Sequence, residues 1–399
     1  MARRILACLA AVAGIGAAGT AYAQTVPVTI VNKTGINGKM FVTVYGQELN
    51  GKSFVYFDAA GNKKTFSSAN PTPTDYGFNT TGSSITFNVQ QVVSARVYVS
   101  FCQPAYITVS LNGDQIYAPN TPAPWSPSDK NYSTVLDFAE FNYNNAASPP
   151  FDVDITQVDT LGIPMQLNLK SASQNLTSGF NNATSGPTIL ASLSAAPWNK
   201  LIVRDSKKRA LRVLIPEKAM ILPSSDPNYF PNTFLDNYIN RVWTNFAQPG
   251  KSFTLKSGNT TYTGTVVNNQ LQLKPASGQT AVFGKPSTLY AWQNGAPVVS
   301  AGGAPVGDLQ RYIQAALLRS IFLTNKDISA CPVKNAYTQT PVNLYASTMH
   351  ANSIRGGAYA FAYDDVCENS SNIGLANPTQ LTITLMPLDV TWSKMTCSN

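Results

Sequence analysis

The chain has 399 residues, with 28 Lys plus Arg against 20 Asp plus Glu, a formal net charge of +8 and a single histidine. Charged residues make up 12% and hydrophobic ones 44%, with 18 Tyr, 18 Phe and 5 Trp, a balance that excludes intrinsic disorder and supports a substantial core. Gly and Pro, 26 each, are near ordinary usage and exclude a collagen-like or low-complexity chain, while abundant Thr, Ser and Asn suit strands joined by polar turns.

Residues 1–23 read as a secretory signal. Arg3 and Arg4 form a positive start, Ile5 to Ala18 a short apolar run, and Ala21-Tyr22-Ala23 an A-x-A cleavage site. Cleavage after Ala23 would leave a secreted chain beginning at Gln24; the apolar run is short for a bilayer-spanning anchor. Losing Arg3 and Arg4 and no acid lowers the formal charge by two, from +8 to +6. So modest a charge does not call for nucleic acid as a partner, although it suits retention near anionic cell walls. No later segment is apolar for long enough to span a bilayer, so no membrane partner is expected.

From Val28 to about Leu169 the chain reads as strands. Val28 to Val31 opens the series after Pro27, followed by Phe41 to Tyr45 and Ser53 to Phe57 around an Asn50-Gly51 turn. Ile85, Phe87 and Val89 alternate with polar residues, and Ala95 to Ser100 and Tyr106 to Leu111 follow. Ala118 to Lys130 reads as a long surface loop. Thr134 to Tyr143 and Phe151 to Val158 read as strands joined through Asn144 to Pro150, and Leu161 to Leu169 resumes strand character. Beyond Lys170 the composition changes. Helices are expected over Pro231 to Phe246 and from Asp308 to about Leu323, with hairpin strands between them at Ser252 to Leu255, Thr260 to Val267 and Leu271 to Leu273. The densest basic stretch, Arg204, Lys207, Lys208, Arg209 and Arg212, surrounds a turn and reads as a solvated hairpin end. Ala358 to Tyr363 and Leu381 to Leu385 alternate like strands, and the second would close the first sheet. The expected organisation is a β domain of residues 24–170 plus 356–399, interrupted by a mixed α/β domain of residues 171–355.

Once Cys8 leaves with the signal, Cys102, Cys331, Cys367 and Cys397 remain; an even number in an exported chain suggests two disulfides, with three pairings open. Their spacing does not resemble a zinc site. A lone His350 excludes a two-histidine metal site and, with no G-x-S-x-G elbow, argues against a Ser-His-Asp triad. No metal or cofactor is expected.

Acids are scarce, yet Asp137, Glu140, Asp152, Asp154 and Asp159 fall close together. Period-two geometry puts Glu140 on one face with Asn142 and Asn144, and Asp159 ends the following strand just before Thr160-Leu161-Gly162. A hairpin would let two carboxylates on neighbouring strands face one cleft. Glycosidic hydrolysis needs this arrangement, with one carboxyl protonated to donate to the leaving oxygen and one ionised to act on water or carbon. Taken singly, each strand acid is more simply a solvent-facing side chain, above all Asp152 and Asp154, which alternate with Val153 and Ile155. Asp364-Asp365 forms a second acidic pair suited equally to a turn or a cleft wall, and Tyr117 and Trp125 are candidates for stacking on sugar faces.

The stretch Asp137-Phe138-Ala139-Glu140-Phe141-Asn142-Tyr143-Asn144, followed by Thr156-Gln157-Val158-Asp159-Thr160-Leu161-Gly162-Ile163-Pro164, resembles the laminaripentaose-producing β-1,3-glucanases of glycoside hydrolase family 64. Gly357 to Val366, with Asp364 and Asp365, resembles that family and the wider thaumatin-like superfamily, and His350 to Arg355 just before it is also similar to the family. The resemblance implies a mainly β fold, a thaumatin-like β-barrel or sandwich domain beside the inserted α/β domain with a wide groove between them. It implies inverting hydrolysis of β-1,3-glucan with Glu140 as general acid and Asp159 as general base, Asp154 being the alternative base. Sugar contacts by the same resemblance fall on Asn142, Asn144 and Thr156, with Asp364 and Asp365 in an acidic cleft. An inverting pair stands about 6.5 to 9.5 Å apart to admit the attacking water. The rival expectation is a non-catalytic thaumatin-like β-glucan-binding protein, and a monomer is the default state.

Overall fold

The computed structural model describes residues 25–395 and Cys397; the expected signal segment lies outside the described residues. Two sheets pack face to face around the main core. One holds five strands in the order Asn175–Gly179, Met165–Lys170, Gln380–Leu385, Val26–Asn32 and Ser84–Val89. The first and last strands of the described chain pair in parallel at its centre, with Val28 opposite Leu381 and Ile30 opposite Ile383. Alternate residues of both point inward, and Val26, Val28, Ile30, Leu381, Ile383 and Leu385 are buried. The expected closure of the first sheet by Leu381 to Leu385 is thus present. The sheet continues through Asn175–Gly179, beyond the composition change at Lys170.

The second sheet has eight strands. In its interior Val135–Tyr143 is flanked by Val92–Phe101 on one side and Phe151–Ile155 on the other, both antiparallel. One face carries Val97, Val99, Ala139, Phe141 and Val153 into the main core. The opposite face carries Tyr98, Leu136 and Phe138 into a smaller cluster with Phe66, Ile107 and Val109, beneath a three-stranded sheet of Asn70–Thr74, Ile107–Leu111 and Tyr117–Asn120. That cover leaves the Glu140 end of the same face polar.

The middle of the chain contains the helices Ser185–Ser192, Asp236–Phe246 and Val306–Leu318, and an antiparallel five-stranded sheet that includes Phe253–Ser257, Thr260–Val267 and Gln270–Pro275. The hairpin strands lie where expected. The first expected helix begins later than Pro231, because the residues before Asp236 form turns capped by Thr288 Oγ1 on Leu235 N–H at 2.9 Å. The second runs Val306–Leu318 with Asp308 in its first turn, where its carboxylate forms an ion pair with Arg311, whose Nε lies 2.8 Å away. The helix Leu344–Ala351, which carries His350, was not signalled because its apolar residues lack a regular stripe.

Ala358 to Tyr363 is not a strand. Its alternation reflects burial of Ala358, Ala360 and Phe361 in an irregular segment, bent by turns such as Asp364 N–H to Phe361 C=O at 3.0 Å. The expected strand Phe151 to Val158 stops at Ile155, where Ser371 Oγ bonds both the Ile155 N–H and its carbonyl and takes the place of a partner strand. The disulfides are Cys102–Cys397 and Cys331–Cys367, which selects one of the three pairings.

Candidate active site

Glu140 lies near the middle of Val135–Tyr143, directly opposite Arg96 on one neighbouring strand and Asp154 on the other. Residues in register across a sheet share a face, with Cβ atoms about 5 Å apart. A row of Arg96, Glu140 and Asp154 therefore crosses three strands. Arg96 Nε donates to Glu140 Oε1 at 2.9 Å, with 28% of the Glu140 side chain exposed, enough for a ligand to reach it. Arg96 is itself placed by the Phe138 ring, 4.6 Å from its guanidinium carbon, and by Thr121 Oγ1 at 3.1 Å from Nη1.

The next pair on this face is Asn142 and Asp152, joined by Asn142 Nδ2 donating to Asp152 Oδ1 at 3.0 Å. Asn142 Oδ1 also accepts from Ser94 N–H at 2.8 Å. Burial holds the Asp154 carboxyl well above the usual carboxylate range, with the charges of Glu140, Asp152 and Asp365 adding to the effect and Arg96 opposing it. Asp365 is exposed and reaches the same acids from the irregular segment after Gly357. Tyr359, from that segment too, sits among Asp365, Asp154 and Glu140, and burial together with these anions raises its phenol.

Asp159 stands just past the end of the Phe151–Ile155 strand. Lys218 Nζ lies 3.0 Å from its Oδ1, and the Lys218 ammonium is in turn 4.5 Å from the centre of the Trp125 ring. The segment Thr121 to Trp125 thus touches the Glu140 support at one end and the Asp159 support at the other. Two buried groups set this geometry. Asp137, on the core side of the Glu140 strand, accepts from Gly162 N–H at 2.8 Å and Ile163 N–H at 3.0 Å, just after Asp159. Gly162 is required there, since a Cβ would lie 2.0 Å from the Leu136 carbonyl oxygen. Arg212 is fully buried and donates to the carbonyls of Pro124, Tyr132 and Thr134, which pins the loop bearing Trp125. Arg212 therefore belongs to the interior, not to a solvated hairpin end.

The remaining candidates divide. Asn144 Oδ1 accepts from Ala146 N–H at 3.0 Å and shapes the turn after the acidic strand. Thr156 is buried, and its hydroxyl accepts from Val158 N–H at 3.3 Å. Asp364 is 0% exposed, so its carboxylate faces inward rather than into a cleft. It accepts from Arg319 Nη2 and His350 Nε2, each at 2.9 Å, and from Ala360 N–H at 2.9 Å. Its place is beneath the segment that presents Tyr359 and Asp365. Arg96, Lys218 and Tyr359 carry no motif of their own in the sequence; a cation inside a strand of otherwise good β-formers was the available signal for Arg96. Among the described residues no group of three or more His, Cys, Asp or Glu side chains is arranged to hold a metal ion.

A pair of carboxylates, each held by its own cation, is the equipment that glycoside hydrolysis commonly uses. The sequence profile of Glyco_hydro_64, the β-1,3-glucanases, matches residues 24–385, and the chain belongs to that family of glycoside hydrolases. Relatives described as glucan endo-1,3-beta-glucosidase occur in Arthrobacter sp. (strain YCWD3) and Cellulosimicrobium cellulans; each is 27% identical over 96% of this chain and 69% of its own length. The fold is similar to that of a laminaripentaose-producing beta-1,3-glucanase solved with laminaritetraose, with a TM-score of 0.79 and 23% identity over 92% of this chain and 100% of that one. It is also similar to a beta-1,3-glucanase domain from Clostridium beijerinckii, with a TM-score of 0.72 and 24% identity over 91% of this chain and 98% of that one.

Proposed function

We propose that the protein is a secreted, monomeric endo-β-1,3-glucanase that hydrolyses β-1,3-glucan to short oligosaccharides, laminaripentaose foremost, with inversion at the anomeric carbon. Glu140 donates a proton to the departing glycosidic oxygen. Asp159 accepts a proton from the water that attacks the anomeric carbon from the opposite side of the ring. The separation suited to this is about 6.5 to 9.5 Å. Asn142, Asn144 and Asp365 offer polar contacts to successive glucose units, and Trp125 offers a stacking face. Thr156 and Asp364 serve by shaping the walls. The reading includes a thaumatin-like β domain and an inserted α/β domain that begins past the Asn175–Gly179 strand, with the glucan lying in a groove between them, and export by cleavage after Ala23.

The observation that carries this reading is the pairing of each carboxylate with its own cation, Arg96 for Glu140 and Lys218 for Asp159, bridged by one loop. Family membership supports the choice of bond. Incubation with laminarin or curdlan tests it: reducing ends appear with the native chain, and Glu140→Gln lowers kcat about a thousandfold. Proton NMR of the fresh product shows the α-anomer first. Binding of curdlan without release of sugar by the native chain would replace this reading with that of a glucan-binding protein.

A further inference from the structure

Glu140 has a cation at hydrogen-bond distance, Arg96 Nε at 2.9 Å, although the role given to it requires a retained proton. A guanidinium at that distance is the usual partner of an ionised carboxylate. The sheet supplies an opposing charge on the other side. Asp154 is in register with Glu140 just as Arg96 is, so the three side chains share one face in the order cation, acid, acid. We propose that Asp154 is a positioning residue for the proposed reaction: it shares a proton with Glu140 and, by offsetting Arg96, keeps the acid–base site loaded with that proton at working pH.

This inference rests on the glucanase reading and adds a role that reading does not contain. Two carboxylates this close in a partly dry site bind their protons as a pair, so the first proton leaves at a pH that belongs to both. The groups facing Asp154 are Glu140 from the Val135–Tyr143 strand, Arg96 one strand beyond, Asp152 on its own strand, and Asp365 and Tyr359 from the irregular segment. Arg311, from the helix Val306–Leu318, reaches this set through Asp365. Burial and the three neighbouring acids all favour a protonated Asp154, against Arg96 alone. In the resting site the proton lies with the half-buried Asp154. When sugar covers Glu140, the proton passes to Glu140 and on to the leaving oxygen, which leaves Asp154 ionised and Glu140 again a carboxylate against Arg96. The attacking water leaves its second proton on Asp159; Asp159 then releases it to solvent and the Glu140–Asp154 pair takes one proton up from solvent, so atoms and charge balance over the turnover.

The test is the pH dependence of kcat/KM on laminarin for the native chain, Asp154→Asn, Asp154→Glu and Glu140→Gln. In Asp154→Asn the alkaline limb moves about one unit or more toward acid, so activity near neutrality falls about tenfold or more, while activity at acid pH returns to within a few-fold of native and KM is unchanged. Asp154→Glu, which restores a carboxyl, keeps the limb within a few tenths of a unit of native. The proposal is overturned if Asp154→Asn lowers activity equally at every pH with the limb in place, which is the mark of a structural role. It is equally overturned if folded Asp154→Asn is inactive throughout, because Asp154 would then be the reacting base. Failure of the parent reading looks different: Glu140→Gln would keep native kcat.

Discussion

His350, the only histidine, is 10% exposed and donates one ring nitrogen to Asp364 at 2.9 Å and the other to the Gly356 carbonyl at 2.7 Å. Burial works against its charge, but Asp364 and the Gly356 carbonyl outweigh it and raise the imidazole above its ordinary value, while His350 and Arg319 overcome burial and hold Asp364 below the usual carboxylate range. The two shifts have opposite consequences for stability. A raised imidazole stabilises fully below its unfolded value of 6.5 and less as pH rises through the folded value. A depressed carboxyl stabilises above its unfolded value of 3.8 and less as pH falls through the folded value. The pair is therefore strongest between these limits. His350→Asn is expected to lower stability by about 2 kcal/mol at pH 5.5, with the difference from native shrinking as pH rises past neutrality. Urea unfolding across pH measures this, and a difference that stays constant to pH 9 contradicts it. Asp137, whose carboxyl burial pushes up to about 7, contributes a fall in stability between pH 3.8 and 7, but that contribution is common to both proteins and cancels.

At the scale of elements, Asp137 couples the acidic strand to the Asp159 turn. Three backbone N–H groups, of Phe138, Gly162 and Ile163, point at its carboxylate, and Asp137→Ala leaves all three without an acceptor in a dry interior. The expected cost is about 3 kcal/mol, read from the denaturation midpoint, with a tenfold or greater loss of kcat as Asp159 loses its fixed place. Unchanged kcat would mean that the turn is held by other contacts. The strand Val135–Tyr143 was legible because its second half follows period two, with Ala139, Phe141 and Tyr143 inward and Glu140 and Asn142 outward, after a first half buried on both faces. The segment after Gly357 was misread for a related reason. Periodicity reports which residues are buried, and here Ala358, Ala360 and Phe361 are buried by turns around Asp364, with no strand at their sides.

Across the whole molecule, the C-terminal part of the described chain is tied back twice, to its first strand by parallel pairing of Val26–Asn32 with Gln380–Leu385 and to the end of the Val92–Phe101 strand by Cys102–Cys397. That disulfide spans 295 residues, whereas Cys331–Cys367 spans 36 and ties the segment carrying Asp365 to a neighbouring loop. By chain entropy the longer loop restricts the unfolded state more, by about 2 kcal/mol. Replacing Cys102 and Cys397 by Ala should therefore lower Tm more than replacing Cys331 and Cys367. The shorter bridge should instead matter more for activity, because it lies beside the acidic face. Equal Tm losses from the two pairs would contradict the entropic ordering.

The sequence by itself determined the β character, the strand bearing Glu140, the hairpin that follows it, and the closing strand at Leu381 to Leu385. Each depends on local alternation or turn chemistry, which a single segment contains in full. Only the tertiary structure decided which cysteines pair, that Arg96 and Lys218 stand beside Glu140 and Asp159, and that Asp364 turns inward while its neighbour Asp365 faces solvent. Partners such as Arg96 and Glu140, or Arg319 and Asp364, lie 44 and 45 residues apart in the chain. Electrostatic energy depends on distance and burial in space, and neither exists until the sheets have packed.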